Sequence, residues 1–143
     1  MIFDLRGSES MTPQVGIFYS MVEGNYNRLK SIVQDMQQSE LDYKGPDHKY
    51  NSTSQLVRHL SYVDLKWVYR IKGEDIPEYL EEKYGPMVDK HNNIPQSRDI
   101  SLKDLLADYN FVINLLESGT YLIIAGITKQ NINQLRKWYS QQQ

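Results

Sequence analysis

Residues 51–73 read NSTSQLVRHLSYVDLKWVYRIKG, and this stretch decides the fold. Asn51, Ser52 and Thr53 each carry a side-chain oxygen that can accept from the free N–H groups of a first helical turn. At the far end Lys72 precedes Gly73, where glycine takes the left-handed residue that closes a helix and the basic side chain suits the negative end of the dipole. Between the caps, Leu56, Leu60, Val63, Trp67 and Ile71 recur at helical spacing and predict one apolar stripe facing the interior. At roughly 100° per residue, His59 falls on the edge of that stripe, about 60° from its centre. Tyr62 and Tyr69 fall on the outer side.

Working outward, the N-terminal side supplies a second helix. Thr12-Pro13 reads as a cap followed by a first-turn proline. Val15, Phe18, Val22, Leu29, Ile32 and Met36 then follow at three- and four-residue intervals, which predicts a helix over about 13–37. Asn25 lies on this stripe, either as a core-edge amide or as a polar group lining an internal cavity. Residues 1–10 read as a short leader. The stretch 39–53 reads as a loop with turn chemistry at Lys44-Gly45-Pro46-Asp47; His48 follows it and is expected in solvent.

On the C-terminal side the periodicity weakens. Residues 73–100 read as a long crossover containing one short helix, PEYLEEKYG, bracketed by Pro77 and Pro86. His91 lies in it and is expected to be exposed. Ser101 and Asp104 resemble a capping box. Leu105, Tyr109, Val112, Leu116, Gly119, Ile123 and Ile127 hold one phase, which favours a single helix over about 102–126. A break at Ser118-Gly119-Thr120 is the alternative. Thr128 can cap a last, shorter helix over about 129–140, with Ile132, Leu135 and Trp138 as its apolar side. YLIIAG could pass for a short strand, but nothing else suggests a sheet to hold it.

These elements predict an all-α fold, an antiparallel up-down bundle of three long helices and a shorter C-terminal one, in a single domain over residues 1–143. A chain of 143 residues buries about two-thirds of its unfolded surface, enough for a core. With 16 basic and 18 acidic residues, a net charge of −2 and the basic residues mixed among acids, no nucleic-acid partner is expected. The longest apolar run, Tyr121 to Ile127, is far short of the roughly 20 residues that span a bilayer. The absence of cysteine excludes disulfides, thiolate metal sites and cysteine nucleophiles. MIFDLRGSES is not a signal peptide, so a cytoplasmic protein is expected.

The run from Asn51 through His59-Leu60, followed by Val63 and Trp67, resembles the second helix of the DinB/YfiT-like superfamily, and the likeness extends over about residues 11–135. The resemblance implies a four-helix bundle, often dimeric. It also implies a divalent metal, zinc or nickel, held by three histidines: one on the second helix and an H-x-x-x-H pair on the fourth. Activities of the family are metal-dependent, namely thiol transfer (bacillithiol transfer included), hydrolysis and isomerisation. The second-helix ligand carries over to His59. The other two do not: with only His48, His59 and His91 in the chain, the corresponding positions in one register are Ile124 and Thr128. A catalytic zinc needs three protein ligands and an open position. His59 is therefore a metal ligand only if a metal is bound at all, and no cofactor is expected.

His59, Lys66 and Arg70 lie within roughly 40° of one another on the helical wheel. This flank suits a small anionic ligand, with Arg70 fitted to a carboxylate or phosphate; the alternative is that the two cations snorkel into water. No nucleophile–base pair and no phosphate loop is visible. The sequence thus leans towards a non-enzymatic bundle that binds a small anionic ligand through His59, Lys66, Arg70 and Asn25, or a protein partner, and forms a homodimer. One alternative is a metal-dependent thiol transferase or hydrolase with atypical ligands. Another is an inhibitor or sequestering protein acting on a protein or a nucleotide-like molecule.

Overall fold

A computed structural model of the chain describes residues 13–117. The leader, the Thr12 cap, the alternative break at 118–120, the YLIIAG run and the last helix expected over 129–140 lie outside the described residues.

Helix α1 spans Pro13–Val33 and opens on the proline, as the fixed φ of that residue favours. It stops four residues before the expected end. Gln37 and Glu40 start a separate one-turn helix, α2 (Gln38–Leu41), in which Glu40 Oε2 accepts from the Gln37 amide at 2.7 Å. The predicted loop over 39–53 therefore begins with helix.

Helix α3 (Thr53–Lys72) has the caps that its sequence announces. Ser52 Oγ accepts from the Gln55 amide at 3.2 Å, and Gln55 Oε1 accepts from the Ser52 amide at 3.0 Å. Gly73 closes the helix at φ 69°. Helix α4 (Glu78–Tyr84) is the short helix of the crossover, held between the two prolines. Helix α5 covers residues 102–117. At its start the Asp104 amide donates to Ser101 Oγ at 3.1 Å, and the Ser101 hydroxyl donates to Asp104 Oδ2 at 2.7 Å. The side chain thus pairs with the cap hydroxyl. No strand occurs among the described residues.

The buried face of α3 is not the predicted stripe. Val57, Ser61, Leu65 and Val68 form the interior ridge together with Tyr62 and Tyr69, whereas Leu56 is 44% and Trp67 51% exposed. Leu60 and Ile71 are exposed as well, and Val63 is half-buried. Two apolar ridges run side by side on this helix. The one that wins carries small serines, Ser54 and Ser61, which let neighbouring elements come close, and tyrosines that bring large apolar area. Ser61 satisfies its own hydroxyl by donating to Val57 O at 3.0 Å. The same shift appears on α1, where Tyr19, Tyr26 and Val33 are buried while Phe18 and Ile32 are exposed. Val22 and Leu29 pack partly against the core, as their stripe predicts.

One cluster joins the elements: Tyr26 of α1, Val57, Leu65 and Val68 of α3, Leu80 and Tyr84 of α4, and Leu105, Tyr109 and Val112 of α5. The hydrogen bonds fix its direction. Asp42 accepts from both Ser54, at the start of α3, and the Asp99 amide, just before α5, while Asp64 and Tyr109 meet one helical stretch further along both. Helices α3 and α5 therefore run the same way, and the crossover carries the chain back along their length. Tyr26 donates to Leu106 O at 3.2 Å, and Gln38, just beyond α1, donates to Ile100 O at 3.1 Å, so α1 runs antiparallel to both. Lys83 Nζ, 2.7 Å from Asp108 Oδ1, ties α4 to α5.

Candidate functional site

Among the described residues, His59 faces the crossover. It borders a space of about 10 Å³ shared with Gln55, Arg58, Tyr84, Pro86, Ile94 and Pro95. That is room for about one water molecule. Its Nδ1 is buried and has no hydrogen-bond partner among the described residues. Around it the crossover is pinned tightly: Gln55 Nε2 donates to Ile94 O at 3.1 Å and to Pro95 O at 3.2 Å, and Arg58 donates to Lys83 O at 3.1 Å.

The other expected ligand-binding residues do not join His59. Lys66 and Arg70 share its angular position on the helix, but seven and eleven residues of rise separate them from it by about 10 and about 16 Å. Both are exposed, with Lys66 Nζ 5.8 Å from the Tyr62 ring and the Arg70 guanidinium 5.0 Å from the Trp67 ring. Asn25 is exposed on α1. The wheel aligned these residues; the axial distance and the crossover keep them apart. His48 and His91 are exposed, as expected.

The metal centre implied by the family resemblance fails a donor test. Among the described residues there is no group of three His, Cys, Asp or Glu side chains that could hold a metal ion. Among the described residues, the polar side chains that share this space with His59 are the Gln55 amide, the Tyr84 phenol and Arg58, whose charge repels a cation. No histidine follows His91. The chain's own residues do not fit the three-histidine centre.

Two polar arrangements emerge that spacing along the sequence did not show. The first is inside the core. Tyr109 donates to Asp64 Oδ2 at 2.7 Å, and its ring meets Tyr26 edge-on at 4.9 Å between centroids. Burial raises the Asp64 carboxyl above its ordinary range, against the opposing pull of the Tyr109 hydrogen bond. Burial and then the Asp64 carboxylate push the Tyr109 phenol up. On the other side of α3, burial and the hydrogen bond to Glu81 push Tyr62 up to about 12.

The second is a cleft of about 710 Å³ between α2 with its following loop and the end of the crossover. Asp42 is its structural hub: it accepts from Gln38 Nε2 at 2.8 Å, from Ser54 Oγ at 3.1 Å and from the Asp99 amide at 3.1 Å. Burial alone would raise this carboxyl; those hydrogen bonds, with the nearby Arg98 charge, outweigh it and hold the group below the usual carboxylate range. Lys44 spans the opening and donates to Gln96 Oε1 at 2.9 Å. His48 and Asp99 line the cleft in the left-handed region, at φ 54° and 59°. Ser97, 6% exposed, also lines it, and its hydroxyl has no hydrogen-bond partner among the described residues. Nothing in local spacing joins residues 42–48 to 96–99; only the folded crossover does.

With that geometry in place, comparison with known proteins gives the lineage. Residues 21–126 match the profile of the DinB superfamily. The chain belongs to the DinB superfamily. It is 40% identical over 131 residues to YkkA of Bacillus subtilis (strain 168), an uncharacterized protein, covering 91% of this chain and 75% of that one. No solved structure matches it. The all-helical fold is as the DinB resemblance implies, and no described helix is long and apolar enough to cross a membrane.

Proposed function

We propose that this DinB superfamily chain acts by binding a small anionic ligand and has lost the metal chemistry of the three-histidine centre. The observation that carries the reading is the setting of His59: one imidazole, beside a guanidinium, over a space that admits a single water. One imidazole is too few donors for a catalytic zinc.

Metal analysis and native mass spectrometry of freshly isolated protein, prepared without an affinity tag, test this. Protein free of stoichiometric metal, with His59→Ala folding normally, supports the binding role. One equivalent of a divalent metal that is lost in His59→Ala, together with a thiol-transfer or hydrolytic activity, overturns it.

A homodimer is part of the same proposal. Leu56, Leu60, Trp67 and Ile71 on α3, with Ile17, Phe18 and Met21 on α1, leave large apolar side chains exposed. Exposed apolar side chains favour association where they form one patch. Light scattering on the full chain, with Trp67→Glu for comparison, measures it.

A further inference from the structure

Resting on the binding reading above, we propose that the cleft between α2 and residues 96–99 is the anion site, and that it takes a hydrophilic organic anion headed by a carboxylate or phosphate. The chemistry of the walls sets this ligand class. Lys44 and Arg98 bring two fixed cations and His48 an imidazole to one opening. Guanidinium pairs with a carboxylate or phosphate through two parallel hydrogen bonds, and an ammonium adds a compact charge.

Of the two acids in the lining, one is already engaged. Asp42 spends its oxygens on Gln38, Ser54 and the Asp99 amide. Its role is to hold the two walls in place. Asp99 leaves one carboxylate in the lining, which suits a ligand that carries hydroxyl or amine donors besides its anionic head.

Ser97 marks the depth of the site. A buried hydroxyl without a partner is unfavourable, and native structures satisfy nearly all such groups. This one lies in the wall of a polar cleft whose one large ring is Tyr43. A ligand oxygen in the cleft gives the Ser97 hydroxyl the acceptor that the described residues do not provide.

The test is a titration of the full chain, labelled with nitrogen-15, with inorganic phosphate and separately with citrate. Saturable amide shifts confined to residues 38–48 and 96–99 are expected, and the two arms tell which head group is preferred. Arg98→Ala is expected to weaken binding about tenfold and Ser97→Ala several-fold, as the loss of a hydrogen bond to a charged group implies. Both variants should keep the wild-type spectrum elsewhere, since among the described residues neither side chain holds another residue in a hydrogen bond. No saturable shift with either anion overturns the proposal. So does binding that is indifferent to Ser97→Ala, or binding lost instead in Lys66→Ala or Arg70→Ala. In each of these cases metal-free protein leaves the binding reading standing, whereas a stoichiometric metal removes both.

Discussion

The Tyr109 hydroxyl donates to Asp64 Oδ2 at 2.7 Å across the interface between α5 and α3. It is a polar tie between two helices whose described residues also meet through apolar side chains, and the Tyr26 ring packs edge-on against Tyr109. A buried carboxylate loses its hydration, and this phenol replaces part of it.

Tyr109→Phe leaves the Asp64 carboxylate buried and short of a donor. It is expected to cost about 1–3 kcal/mol at pH 7. The sign of the pH dependence follows from the raised carboxyl. The folded state holds the Asp64 proton more firmly than the unfolded chain, so this group's contribution weakens as pH rises through the carboxylate range. Tyr109→Phe should therefore cost less near pH 4 than at pH 7. Asp64→Asn keeps an acceptor, removes the charge and should be tolerated better. Urea melts of the three proteins at both pH values measure this.

Tyr62 gives an alkaline counterpart. Burial and then Glu81 push its phenol from 10.0 up to about 12. The folded state therefore retains a proton that the unfolded chain releases. Stability from this group is complete below pH 10 and is lost between 10 and about 12. Tyr62→Phe should flatten the fall in stability over that window. Absorbance titration of the phenolates, alongside melts at pH 9 and above, checks both halves of the statement.

Ser97→Ala separates a ligand-binding hydroxyl from a structural one. A structural hydroxyl costs stability when removed. An unpartnered buried one does not, and its removal should leave the free protein unchanged or up to about 1 kcal/mol more stable. Thermal melts without added anion give the first comparison, and melts in phosphate the second, where the wild type should gain more than the variant.

Asp42→Ala removes the acceptor shared by Gln38, Ser54 and the Asp99 amide. The cleft is open to water, so the expected loss is on the order of 1 kcal/mol. Hydrogen exchange should quicken at the Asp99 amide while the Tyr109 end of α5 stays protected. The carboxyl lies below its ordinary range, so its contribution is present above the unfolded value and fades as pH falls through the folded one. Melts between pH 2 and 6 should therefore converge for wild type and Asp42→Ala at the acid end.

Local chemistry was legible in the sequence, and tertiary choice was not. Ser52 and Gly73 bound α3 because capping is a property of a few adjacent residues. Pro77 and Pro86 frame α4 for the same reason. Which face of α3 turns inward depended on its partners. Tyr62 and Tyr69 look amphipathic in isolation, yet neighbours from α4 and α5 make them core, and Leu56 and Trp67 lose the competition. The candidate site shows the same division. His59 was correctly placed on a helix, but its surroundings come from Pro86, Ile94 and Pro95, whose position no periodicity encodes. Lys44 and Arg98 line one cleft because Asp42 and Gln96 fasten the crossover beside α2.

The parallel course of α3 and α5 also bears on how the chain assembles. The Asp64–Tyr109 contact closes a loop of 45 residues, whereas Tyr62 reaches Glu81 over 19. Chain-closure entropy makes the longer loop costlier by about 0.8 kcal/mol. The α3–α4 corner should therefore form ahead of the docking of α5. In stopped-flow kinetics Tyr62→Phe should chiefly slow folding, and Tyr109→Phe chiefly hasten unfolding.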